Sequence, residues 1–157
     1  MDESQFLQLI EQHQGIIHKI CRLYRDSPED REDLFQEIVF QLWRSVPAFE
    51  GKSQFSSWMY KIALNTAIAS FRRRKPDITY TSDLPDRPVA HYDPGEQHER
   101  LFEALKQLND ADKALMALYL DDLSYREIAE ITGMSENNVG VKLNRIKSKI
   151  QQLLKIR

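Results

Sequence analysis

The sequence predicts an all-α fold of two small helical domains joined by a flexible linker, and three observations carry that expectation. Apolar residues recur at helical spacing through most of the chain, and alternating β-branched runs are almost absent. Residues 76–95 break the pattern. Prolines at 76, 85, 88 and 94 stand there among Asp77, Asp83, Asp86 and Asp93, with no apolar period. Toward the C-terminus, two helix signals are separated by a short glycine-containing turn. The linker leaves domains at residues 1–75 and 96–157, each small but able to form a core.

Composition sets the outer limits. The 157 residues are 41% hydrophobic and 29% charged, with a formal net charge of −2. Taken whole, that is not the balance of a nucleic-acid binder. The charges are segregated, however. Asp26, Glu29, Asp30, Glu32, Asp33 and Glu37 face Arg31 alone, whereas Lys61, Arg72, Arg73, Arg74 and Lys75 have no acid among them. After Met134, Lys142, Arg145, Lys147, Lys149, Lys155 and Arg157 stand against Glu136 only. The single cysteine, Cys21, allows no intrachain disulfide and suits a reducing compartment. An acidic N-terminus without a signal peptide, and no bilayer-length apolar run, predict a soluble, cytoplasmic protein with no membrane insertion.

In chain order, the first strong helix is residues 32–46. Leu34, Phe35, Ile38, Val39, Leu42, Trp43 and Val46 fall within one half of its wheel. The other half carries Asp33, Gln36, Glu37, Gln41 and Arg44, together with Phe40. Either Phe40 packs on another part of its own domain, or it is the apolar anchor of a charged docking surface. Gly51 and Ser53 then signal a loop and a helix cap, with Phe49, Phe55, Trp58 and Tyr60 crowded around them. The following helix runs to about residue 73 and aligns Lys61, Asn65 and Arg72 in a stripe beside Trp58. Aromatics beside basic and amide groups suit single-stranded nucleic acid, whose bases stack while its phosphates are neutralised.

In the second domain, Ser124 and Glu127 form a capping box, in which each side chain accepts from the other's amide. The helix they start carries Ile128, Ala129 and Ile131 and ends at Thr132-Gly133, where glycine can turn left-handed. Ser135 caps the next helix, whose Val139, Leu143, Ile146, Ile150 and Leu153 form an apolar stripe. The pair is a helix-turn-helix, with small Ala129 permitting close packing. Glu136, Asn137, Asn138, Val141, Lys142 and Arg145 lie near the end such a helix inserts into the major groove. Asn suits adenine edges and Arg suits guanine edges.

These segments carry a resemblance. Asp33-Leu34-Phe35-Gln36-Glu37, Phe49-Glu50-Gly51, the run from Phe55-Ser56-Ser57-Trp58 through Asn65-Thr66-Ala67, and Ser124-Tyr125-Arg126-Glu127-Ile128-Ala129-Glu130 resemble an extracytoplasmic-function (group 4) sigma factor of the sigma-70 family. The resemblance spans essentially the whole chain, and the order and spacing of the motifs make it specific. It implies an N-terminal region 2 and a C-terminal region 4, which together direct core RNA polymerase to promoters. It implies polymerase binding by Asp33, Gln36 and Glu37, to which the docking-anchor reading of the wheel adds Phe40. It implies base capture at the −10 element by Phe49 and Asn65, and the basic aromatic stretch adds Trp58, Lys61, Arg72 and Arg73 to that expected contact set. For the −35 element it implies Ser135, Glu136, Asn137, Asn138, Val141, Lys142 and Arg145. The implied partners are core RNA polymerase through its clamp and flap regions, promoter DNA as duplex and melted strand, and an anti-sigma factor. One departure stands out. The family usually has a Thr-Val-Lys-Ser-Arg-like run where this chain reads Asn138-Val139-Gly140-Val141-Lys142, so promoter preference does not carry over. Gly140 also costs about 1 kcal/mol of helix propensity.

Two other classes compete. A one-component regulator would bind duplex DNA through the helix-turn-helix and sense a signal with its first domain. That leaves the acidic helix, Phe40 and the basic aromatic segment without a role. An enzyme would need a catalytic centre. His18 and Cys21 have ligand-like spacing, but no second pair follows, and neither a phosphate-cradling glycine loop nor a nucleophile motif is present. No catalytic residue, metal or cofactor is expected.

Overall fold

Asp2 starts the first helix. Its carboxylate accepts from the Gln5 amide at 2.8 Å while the Gln5 side chain accepts from the Asp2 amide at 3.0 Å. The helix α1 runs Glu3–Gln12, and α2 runs Gln14–Tyr24. Ser27 caps α3, Pro28–Ser45, with Pro28, Glu29 and Asp30 suited to a helix N-terminus by fixed φ and by charge. A 3₁₀ turn, Val46–Ala48, leads toward α4, Phe55–Arg74. The second half comprises α5 (Glu96–Lys106), α6 (Asp110–Leu120, capped by Asn109), α7 (Tyr125–Thr132) and α8 (Glu136–Lys155). This computed structural model describes residues 1–49, 51, 54–74 and 96–155, and of residues 70–74 and 96–98 only the backbone. The expected linker, residues 76–95, lies outside them. Among the described residues the chain is all-α.

The apolar stripes meet as their spacing requires. Ile17, Ile20 and Leu23 of α2, Leu34, Ile38 and Leu42 of α3, and Met59, Ala63 and Ala67 of α4 are all buried. Arg25, also buried, locks the end of α2 to α4. Its guanidinium donates to the Tyr24 carbonyl at 2.8 Å and the Ala67 carbonyl at 3.2 Å. Trp43 differs from expectation: its ring stacks on Phe6 at 4.9 Å between centroids, yet 42% of the residue stays exposed. It sits at the edge of the core stripe, where α1 covers only one side of it.

The two halves are not independent beads. Their buried apolar side chains form one continuous cluster, with α2 and α4 packed on α5, α6 and α7. Polar contacts frame that junction. Asp121, just beyond α6, takes the Lys19 ammonium at 2.6 Å and the hydroxyl of Tyr60, a residue only 1% exposed. The Tyr24 hydroxyl donates to the Asp110 carbonyl at 2.9 Å, and Lys106 reaches Asp26 and the Arg25 carbonyl. Arg22 pairs with Glu99 at 2.8 Å and lies 4.1 Å over the Phe102 ring.

Burial opposes the Asp121 carboxylate, but hydrogen bonds from Lys19 and Tyr60 hold its pKa below the ordinary value. Lys106 lowers that of Asp26 in the same way. A carboxyl whose pKa falls on docking favours the docked form above the undocked value, near 4. That contribution is lost as pH falls through the lowered value. Acidification below about pH 4 should therefore separate the halves, seen by small-angle scattering as a larger radius before helical circular dichroism is lost. Asp121→Ala should do the same at neutral pH. It leaves the buried Tyr60 hydroxyl without its acceptor, at a cost of about 1–3 kcal/mol. An unchanged radius would show that the apolar contact alone holds the halves together.

Candidate polymerase and promoter interfaces

Three surfaces account for the expected site residues. The first is the outer face of α3. Asp33 and Gln36 are exposed, Glu37 is half-buried and accepts from the Gln41 side chain at 3.1 Å, and Phe40 is 55% exposed. Phe40 therefore does not pack into its own domain. The Arg44 guanidinium lies 6.0 Å from its ring, and Leu7 and Trp43 are exposed on the adjoining α1–α3 surface. An apolar centre with a charged rim is what a protein partner can desolvate productively.

The second surface surrounds the start of α4. Phe49, Phe55 and Trp58 stack on one another, with centroids 4.8 Å apart for Phe49–Trp58 and 5.3 Å for Phe55–Trp58. His13 lies 5.4 Å from Phe55. All three aromatics are half-buried, so they form a braced knot with exposed edges. Lys61 and Asn65, one and two turns further along α4, are exposed. The side chains of Arg72 and Arg73 lie outside the described residues.

The third surface is the helix-turn-helix. Ser124 and Glu127 make both bonds of the capping box, at 3.1 and 2.8 Å. Gly133 takes a φ of +83° and donates to the Ala129 carbonyl at 2.8 Å, closing α7. Val139, Leu143, Ile146 and Ile150 are buried, as is Ile128 of α7. The Ser135 hydroxyl accepts from the Asn138 amide at 3.1 Å, and the Asn138 side chain lies 3.7 Å from the Met134 sulfur. Ser135 and Asn138 thus shape the start of α8, while Glu136, Asn137, Val141 and Arg145 are exposed. Gly140 has a packing reason. A Cβ there would stand 3.2 Å from Cε2 of Tyr125, which crosses over α8 at that point.

Lys142 departs from the exposed set. It is half-buried and lines a cavity of about 240 Å³ at the junction of the two halves. Lys61 and Asn65 line the same cavity, with Leu64, Leu115 and Met134 as apolar walls. Residues expected to touch two separate DNA elements thus face one another. The sequence does not disclose this junction, because Lys19 and Asp121 belong to no motif and Tyr60 is there one aromatic among several, with no period shared by the three. His18 and Cys21 also separate by environment. His18 is exposed and stacks on Phe35 at 4.7 Å, whereas Cys21 is buried and burial pushes its thiol up to about 11. Among the described residues, no helix is long and apolar enough to cross a membrane.

A helix-turn-helix with an exposed second helix, an aromatic knot beside Lys61 and Asn65, and an acidic helix face bearing Phe40 stand together in one chain, the combination expected of a promoter-recognition factor. Residues 9–76 match the family description Sigma-70 region 2, and residues 98–150 match Sigma-70, region 4. The RNA polymerase sigma factor SigV of Bacillus subtilis is 31% identical over 142 residues, covering 87% of this chain and 82% of that protein. The ECF RNA polymerase sigma-E factor of Haemophilus influenzae is 28% identical, covering 98% and 91%. The Bartonella quintana sigma factor RpoE, solved with the anti-sigma factor NepR, superposes with a TM-score of 0.77 at 20% identity, over 97% of this chain and 98% of that one. The chain belongs to the extracytoplasmic-function sigma factors of the sigma-70 family. It binds core RNA polymerase and directs transcription initiation at promoters.

The left-handed turn at Gly133 orients α8, so Gly133→Ala should destabilise the C-terminal half by about 1–2 kcal/mol. Thermal unfolding monitored by circular dichroism measures this. An unchanged midpoint would mean that the turn tolerates a side chain without strain.

Proposed function

We propose that residues 1–75 form the polymerase-binding and −10-melting domain, that residues 96–157 form the −35-reading domain, and that the docked form described above is closed to promoter DNA. The single observation that carries this reading is the cavity shared by Lys61, Asn65 and Lys142. A major groove is itself about 12 Å wide, so a duplex on α8 and a strand on α4 do not fit between surfaces this close. The two halves part before both DNA elements are engaged. Residues 76–95 give the chain length for that separation.

In the open form, Asp33, Gln36, Glu37 and Phe40 dock on the polymerase clamp, and the second domain meets the flap. The Phe49–Phe55–Trp58 knot offers ring edges for bases leaving the stack. Asn65 reads one base edge as both donor and acceptor, and Lys61, Arg72 and Arg73 neutralise phosphates. Capture of an extruded base offsets an unstacking cost of a few kcal/mol. An anti-sigma factor would act by holding the halves together; the existence of such a partner is supported by the RpoE–NepR complex. The protein works as a cytoplasmic, non-catalytic initiation factor.

Run-off transcription with core polymerase, on promoters recovered by genome-wide binding, tests the whole reading. Wild-type chain should yield discrete transcripts. Replacing Glu37 and Phe40 together should lower affinity for core enzyme at least tenfold with circular dichroism unchanged. Asn65→Ala should reduce permanganate-detected melting and relax preference at one −10 position, leaving −35 binding intact. Normal melting with unaltered preference would make Asn65 structural.

A further inference from the structure

The helix α8 carries a stripe that the expected contact set only half includes. At 100° per residue, Asn137, Val141, Asn144 and Ser148 fall within about 60° of one another. All four are exposed, and they lie opposite the buried Val139, Leu143, Ile146 and Ile150. They therefore form the centre of the helix's solvent face. From Asn137 to Ser148 that centre is uncharged, although α8 is strongly basic, and Lys155 joins the stripe only in the last turn. Lys142 turns toward α4 in the junction cavity, and Lys147 is held by Tyr119, with its Nζ 3.2 Å from the hydroxyl and 4.5 Å over the ring. Arg145 and Lys149, both exposed, flank the stripe on one side.

A DNA-facing helix that needed only phosphate attraction would gain by placing its cations centrally. Phosphate contacts position a protein on the duplex, whereas base edges are read by matched groups, Arg and Lys at guanine and neutral amides or methyl contacts at A·T pairs. Asn pairs bidentately with adenine N6 and N7, and an aliphatic side chain suits the thymine methyl. Gly140 adds to this. With no side chain there, and with Tyr125 filling the space beside it, nothing on that flank competes with Asn137 and Asn144 for the groove.

We propose that Asn137, Val141 and Asn144 read consecutive A·T base pairs in the −35 duplex, with Asn144 a specificity-determining residue and Arg145 and Lys149 holding phosphates. This rests on the reading of α8 as the −35 helix. Asn137 and Asn144 are about 10.5 Å apart along the axis, which spans about three base pairs at 3.4 Å each. Ser148 lies a further turn along, at the edge of the groove.

The test is selection of duplexes from a randomised library by the full chain bound to core polymerase, with binding measured over a salt series. Wild type should select a run of about three A·T pairs. Asn144→Ala should lose adenine preference at one position, by roughly 5- to 150-fold, with neighbouring positions and the salt slope unchanged. Val141→Ser should relax thymine preference at the adjacent position. Arg145→Ala and Lys149→Ala should instead weaken binding to all sequences and each lower the salt slope by about one. G·C pairs selected at these positions, or an unaltered preference in Asn144→Ala while Arg145→Ala still weakens binding, would overturn the inference and leave α8 as the −35 helix. If no variant of α8 changes binding at all, the −35 reading itself falls.

Discussion

Asp121 is the residue on which the arrangement of the two halves turns. It ends α6, and the next residue, Asp122, adopts a φ of +67°, so the chain reverses at once into the Ser124 cap of α7. The loop that starts the helix-turn-helix is therefore the loop clamped by Lys19 and Tyr60 of the first half. Fixing Asp121 fixes the angle at which α7 and α8 meet α4. The cavity between Lys61, Asn65 and Lys142 follows from that angle. So does the partial burial of Lys142.

The proposed opening asks little of this junction. Most of its ion pairs are partly exposed, and such pairs contribute about 0–1 kcal/mol each. The buried Tyr60 hydroxyl and the apolar cluster behind it supply the firmer part. Interfaces between domains of one chain commonly resemble transient protein contacts in this respect. The charge segregation along the chain has a matching logic. Acids gather on α3, which the proposed function gives to a protein partner, and bases gather on α4 and α8, which it gives to phosphates. Asp121 lends a carboxylate to the first half only while the halves are docked.

Much of this was legible in the sequence, for reasons that differ by element. The helices announced themselves through apolar period and caps, and the capping box at Ser124 and the turn at Gly133 are local features needing no tertiary context. Phe40 was legible as an anomaly, an aromatic among carboxylates, though only the structure decides that it stays exposed. Trp43 lies on the apolar half of the wheel, but a wheel cannot show that α1 leaves much of its ring uncovered. The junction was not legible. Lys19, Tyr60 and Asp121 are far apart in sequence and chemically ordinary, and only the packing of α2 and α4 on α6 brings them together. Asn144 was passed over because attention to basic residues hides a neutral stripe, which becomes visible only when exposure is known along the whole of α8.

The account depends most on the halves being docked in the free chain and parted on the promoter. Spin labels at Gln12→Cys and Gln151→Cys, both exposed positions, report that separation by pulsed dipolar spectroscopy, with the buried Cys21 shielded from labelling. The free chain should give one narrow distance, and the chain in a promoter-bound polymerase complex should give a distinctly longer one. The same distance in both states would contradict the account, because α4 and α8 would then have to engage DNA without leaving each other.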